Sequence, residues 1–168
     1  HIGFLRLAPY LYRWTLDLAT GAVSEQKLDD VYIEFPRMDN RILGRKSRYS
    51  YSGSVAPIDT IRFDGVIKHD TSTGKRTSYH FPAGTYGGET TFAPRDAVAR
   101  ANNGKCIDDD GYVLTFIEEG DRSYLGVFDA KNIERGPMAR VRIPGRVPTG
   151  YHTWWIAAED LATQRAEL

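Results

Sequence analysis

A chain of 168 residues with 41% hydrophobic and 12% aromatic content has the size of one ordinary domain and is too apolar to be disordered. Lys+Arg and Asp+Glu each number 22, so the net charge is zero, which argues against nucleic acid or an anionic membrane as the main partner. No apolar run approaches the roughly 20 residues of a membrane span. The single cysteine, Cys106, excludes an internal disulfide and suits a reducing, cytoplasmic setting, where it reads as a spectator thiol.

The chain opens at His1 without a methionine and with nothing like a signal peptide. It reads as a fragment of something longer, or else as a processed mature start. The composition is then β-like, with 10 Tyr, 7 Phe, 16 Gly and many short alternating runs. One pattern recurs three times: strand, Asp, a turn ending in Gly, strand. It runs from Tyr12 through Asp17 and Gly21 to Leu28. It returns from Gly65 through Asp70 and Gly74 to Phe81, and again from Tyr124 through Asp129 and Gly136 to Ile143. The Asp bonds its own backbone to start the turn, and the Gly takes the positive φ the loop needs. The three Asp residues lie 53 and 59 positions apart, close to the length of a four-stranded propeller blade with its loops. Helix is predicted only for the tail, Ala157–Leu168, and for a turn around Asp96–Arg100.

After each hairpin comes a further β-favouring run: Val31–Arg37, Gly88–Arg95 and Gly150–Trp155. In a propeller such a run is the innermost strand of the next blade. Glu34, Glu89 and His152 then take equivalent inner places, 17, 19 and 23 residues after the three Asp residues. The last run, within Val147–Ile156, reads as a turn feeding a buried strand. A histidine there is either a core imidazole bonded to a carbonyl or a metal ligand or catalytic base. An inward carboxylate is costly unless paired. Glu34 and Glu89 could pair with Arg37, Arg41 or Arg95. They could instead accept from histidines that bind a metal through the other ring nitrogen.

Several other signals are bland. Asp108-Asp109-Asp110-Gly111 lacks the alternation of a calcium loop and reads as a polar turn before a strand over 112–117. Gly84–Gly88 has no lysine and opens no helix, so it is no phosphate loop. His69 and His80 fall at outer-blade places and read as surface residues. Arg37, Asp39 and Arg41 read as a salt-bridge cluster that ties a loop down.

The segments Glu34–Arg41, Arg48–Tyr51, Gly88–Arg95, Asp109–Thr115 and Val147–His152 together resemble the C-terminal part of the carotenoid cleavage oxygenase family, which includes lignostilbene dioxygenases and a vertebrate retinoid isomerase. The match runs in one order from Pro9 to Trp155. The resemblance implies an all-β, seven-bladed β-propeller, incomplete in this chain, with about three blades in 1–156 and a tail in 157–168. It implies an Fe(II) held by four histidines, with O2 used to split a conjugated C=C bond into two carbonyl products. By position His152 matches the last iron-ligand histidine. Glu34 and Glu89 match two of the three glutamates that orient ligand histidines. The chain departs from the family in Thr90 where Pro is common and in Thr153 where Gly is common. The other three ligands and the third glutamate are not in this chain.

The expected function is thus the C-terminal part of an Fe(II) dioxygenase acting on a small hydrophobic or phenolic alkene, an apocarotenoid or a stilbene. Any peripheral membrane contact would come through the portion absent here. A metal-free propeller binding module and an isomerase of the same family are the rivals. Isolated, the 168 residues are expected to expose sheet edges and to be poorly soluble.

Overall fold

The computed structural model describes residues 8–58, 60–95 and 108–166, with side chains as far as 163. His1, the predicted turn at 96–100 and Cys106 lie outside the described residues.

Among the described residues, eleven strands and one α-helix follow the β-rich sequence pattern. The first hairpin is β1 (Tyr12–Leu16) with β2 (Val23–Lys27), a two-stranded sheet of its own. Next comes an antiparallel meander of β3 (Ile33–Arg37), β4 (Tyr49–Val55), β5 (Phe63–Asp70) and β6 (Lys75–His80). The short β7 (Thr85–Gly87) then bridges β5 and β9. A second meander follows, of β8 (Thr91–Pro94), β9 (Gly111–Glu119), β10 (Arg122–Asp129) and β11 (Ala139–Ile143). The tail closes as α1 (Ala158–Ala166). Among the described residues no helix is long and apolar enough to cross a membrane.

All three predicted hairpins form, and their turn chemistry is the predicted one. Asp17 Oδ1 accepts from the Ala19 and Thr20 N–H groups, Asp70 Oδ1 from Ser72 N–H, and Asp129 Oδ1 from Lys131 N–H. Gly21, Gly74 and Gly136 close the turns at φ 72°, 71° and 80°. Gly136 is doubly required, because a Cβ there would also meet the Tyr79 ring at 2.8 Å. Asp108–Asp110 forms the expected polar turn, with its carboxylates taken up by Arg48 N–H, Lys68 and Lys131.

Each meander has the form of a propeller blade, and the cores lie between neighbouring units, as in stacked sheets. Tyr51 and Val66 of the first meander pack on Phe92, Val113 and Phe128 of the second, with Ala130 and Ile133. Leu11, Ile33 and Ile67 form a smaller core between the first hairpin and the first meander. β9 shows why the sequence chooses this arrangement: Gly111, Val113, Thr115 and Ile117 alternate inward and are buried, while Tyr112, Leu114 and Phe116 are half-buried. Polar ties cross the same seam. Tyr51 donates its hydroxyl to the Ala130 carbonyl at 3.1 Å, and burial pushes that phenol well above its usual pKa.

Two expectations need correction. Gly150–Trp155 is extended but is not a strand, and it is not buried: Tyr151, Trp154, Trp155 and Ile156 are all exposed. A strand exists by pairing, and this segment is instead held by side chains: Glu89 accepts from Thr153 N–H and Arg37 donates to the Thr153 carbonyl, while just before it Val147 N–H donates to Ser123 Oγ and the Thr149 hydroxyl to Glu118. His69 is not a surface residue. It is 4% exposed, with Nε2 2.8 Å from the Asp29 carboxylate, which also takes Arg76. Asp29, in the link between β2 and β3, covers it from 40 residues away. His80 is exposed as expected.

Candidate metal centre

The site is built on the inner edge of the two meanders, where β3 ends and β8 begins. Glu89 stands just before β8 and is 1% exposed. Both of its neighbours are pinned. Gly88 N–H donates to the Phe116 carbonyl at 2.8 Å, and the Thr115 hydroxyl donates to the Gly88 carbonyl at 3.0 Å. Thr90, where the family often has Pro, donates its hydroxyl to the Tyr51 carbonyl at 3.2 Å, tying the two meanders together.

Three groups meet the Glu89 carboxylate. Arg37 Nε lies 2.8 Å from Oε1, Thr153 N–H donates to Oε2, and His152 Nδ1 lies 3.5 Å from Oε1. Glu89 and His152, placed together by their offsets from the hairpins, are thus together in space. The arginine pairing weighed as the alternative is present as well, on the same carboxylate. His152 has an exposed side chain, 69% accessible, and its Nε2 has no partner among the described residues. Nδ1 is the ring nitrogen that faces the carboxylate, and the tautomer that donates from Nδ1 is the one that leaves the Nε2 lone pair open.

Reasoning from sequence missed Phe35. Its ring meets His152 edge-on, with centroids 5.0 Å apart, and also leans on Phe63 at 5.9 Å. Its backbone explains the aim. Glu34 pairs with Gly53 and Arg37 with Tyr51, so Phe35 and Pro36 together oppose one residue of β4, which is a β-bulge. Phe35 adopts φ 55°, rare for a bulky residue and worth about 1–3 kcal/mol of strain. The bulge also puts Arg37 on the same face as Glu34, toward Glu89. The Phe-Pro dipeptide gave no sign of this, since a residue before proline ordinarily prefers extended backbone.

Glu34 is half-buried. Its Oε2 accepts from the Phe35 N–H at 3.3 Å, and no imidazole reaches it among the described residues. Among the described residues no group of three His, Cys, Asp or Glu could hold a metal ion. The donor set therefore fits one corner of a metal site: an open imidazole nitrogen with its other nitrogen at a buried carboxylate. Arg41 and Asp39 form the expected loop-tying pair, with Nη2 to Oδ2 at 2.7 Å, but Arg37 leaves that cluster for Glu89. A cavity of about 180 Å³ opens beside the site, with Phe35, Ile61, Phe63 and Tyr151 on its walls together with Thr60 and Thr149. A larger one lies elsewhere, among Arg13, Lys46, Arg48 and Asp109.

The two meanders have the form of propeller blades, and Glu89 and His152 meet at their edge. Residues 4–157 match the family described as retinal pigment epithelial membrane protein. The chain is 33% identical over 170 residues to carotenoid 9,10(9',10')-cleavage dioxygenase 1 of Arabidopsis thaliana, covering 92% of this chain and 30% of that protein. Zeaxanthin 7,8(7',8')-cleavage dioxygenase of Crocus sativus is 33% identical, with 89% and 41% covered. In structure it is similar to lignostilbene dioxygenase of Pseudomonas brassicacearum, at a TM-score of 0.76 and 30% identity over 86% of this chain and 32% of that one. Cobalt-substituted apocarotenoid oxygenase of Synechocystis gives 0.73 and 30%, over 86% and 29%. The chain belongs to this carotenoid cleavage oxygenase family, and its fold is the C-terminal part of the family's seven-bladed propeller. It spans about a third of the length of the relatives it matches first.

Proposed function

We propose that this chain is the C-terminal part of an Fe(II)-dependent dioxygenase that splits a conjugated C=C bond of an apocarotenoid or stilbene into two carbonyl products. The observation that carries the reading is the contact of Glu89 with His152 Nδ1, which leaves Nε2 open. The relatives are dioxygenases of carotenoids or lignostilbenes, and one structural neighbour has been cobalt-substituted, which supports a transition-metal site.

In this reading His152 contributes one neutral imidazole, and histidines outside this chain supply the rest. Iron bound there would supply O2 activation beside the double bond. The chain's own residues do the rest of what can be derived. Glu89 holds the Nδ1 proton and so fixes the tautomer and raises the donor strength of Nε2. Phe35 blocks one edge of the ring and limits its swing. Glu34 is assigned the role of Glu89 toward a second ligand histidine. The cavity bounded by Phe35, Phe63 and Tyr151 offers an apolar wall for a hydrophobic alkene. Product analysis tests the reaction class. Two carbonyl products formed with O2 consumption support it, and isomerised substrate without aldehydes would place the protein in the isomerase branch.

A further inference from the structure

Arg37 has a closer acid than Glu89 to pair with. Asp39 is two residues on, yet that carboxylate is filled by a fork from Arg41, with Nε at 3.0 Å and Nη2 at 2.7 Å. Arg37 instead crosses to the next meander, placing Nε 2.8 Å and Nη2 2.5 Å from Glu89 Oε1. This is the same oxygen that faces His152 Nδ1 at 3.5 Å. Two charge-assisted contacts at these lengths outweigh one at the limit of a hydrogen bond, so Arg37 holds Oε1 more strongly than the imidazole does. The same guanidinium reaches the Thr153 carbonyl at 3.4 Å and lies 5.3 Å from the Trp154 ring centroid. One side chain thus grips the acceptor of His152 and both residues that follow it. The bulge at Phe35 and Pro36 is what turns Arg37 this way.

We propose that Arg37 is a positioning residue for His152: by clamping Glu89, Thr153 and Trp154 it sets where the imidazole stands and how strongly Glu89 draws on its Nδ1 proton. The inference rests on the reading of His152 as a metal ligand. A carboxylate shared with a guanidinium is a poorer acceptor than a free one, so Arg37 moderates the pull of Glu89 on Nδ1–H. Without Arg37, Glu89 keeps only the Thr153 N–H and His152, and its freed Oε1 turns toward Nδ1. Ring position and donor strength then change together.

The test uses the full-length protein that contains this chain, loaded with Co(II), whose visible ligand-field bands report ligand geometry. Co(II) affinity, the band positions and the thermal midpoint of the metal-free protein are measured for wild type, R37K, R37Q, E89Q, the R37Q/E89Q pair and H152A. R37Q is expected to weaken Co(II) binding by about 10-fold and to shift the bands, because the misplaced ring costs more than the stronger pull on Nδ1–H gains. R37K should lose less, since it keeps the charge but not the fork that spans three groups. In the E89Q background R37Q should add clearly less, because only the hold on Thr153 and Trp154 is then left to lose. If R37Q does not fold, the same comparison is made with R37K. A lowered metal-free midpoint with unchanged affinity and bands would overturn the proposal and leave Arg37 a structural ion pair. So would an R37Q effect of equal size with and without Glu89. If H152A binds Co(II) as tightly as wild type, the metal centre itself fails, and that outcome is read independently of Arg37.

Discussion

At the scale of single residues, burial decides what each histidine can do. His152 is open to solvent, while His69 is enclosed with Asp29 and Arg76. Burial, opposed by the bond to Asp29, holds the His69 imidazole below its ordinary pKa. The unfolded chain therefore takes up that proton first, near pH 6.5. Stability from this group is complete above about 6.5 and is lost as pH falls toward the depressed folded value. The variant His69→Gln keeps a donor for Asp29 but cannot titrate. Denaturant unfolding of the full-length protein across this range should show a shallower decline of stability at low pH in the variant. Equal slopes would mean that His69 carries none of the dependence. Nothing in the sequence showed this burial, because the strand position pointed outward and the covering residue is 40 positions away.

Elements carry the parts of the fold that local chemistry can specify. The Asp and Gly residues of the three hairpins made the turns legible, since each acts on backbone within a few residues of itself. Gly136→Ala should cost about 1–3 kcal/mol, from the positive φ and the contact with Tyr79. An unchanged urea midpoint would count against this. Tyr51→Phe should cost about 1–2 kcal/mol by orphaning the Ala130 carbonyl in the seam between meanders, again read from the urea midpoint. What stayed hidden was what depends on a neighbour. The extended Gly150–Trp155 run looked like a strand by composition, yet no ladder forms. The choice of Arg37 for Glu89 over Asp39 depends on a bulge that Phe-Pro does not announce. That Glu89 and His152 share the inner edge was legible because it follows from repeat geometry, similar offsets of 19 and 23 residues within successive units, and not from residue type.

For the whole molecule, the account rests on a ring that this chain only partly supplies. The exposed faces of Trp14, Leu16, Val23, Trp154 and Trp155 fit surfaces that further blades would cover. The proposed metal centre has the same incompleteness, with one imidazole and two carboxylates assigned to it on this chain. The isolated 168 residues should therefore bind iron far more weakly than the full-length protein, as equilibrium dialysis of both would show. The most direct measurement is iron content and product formation of full-length wild type and His152→Ala, purified without chelator. The account predicts about one iron per chain and two carbonyl products for wild type, with both lost in the variant. Intact iron and intact cleavage in His152→Ala would contradict it.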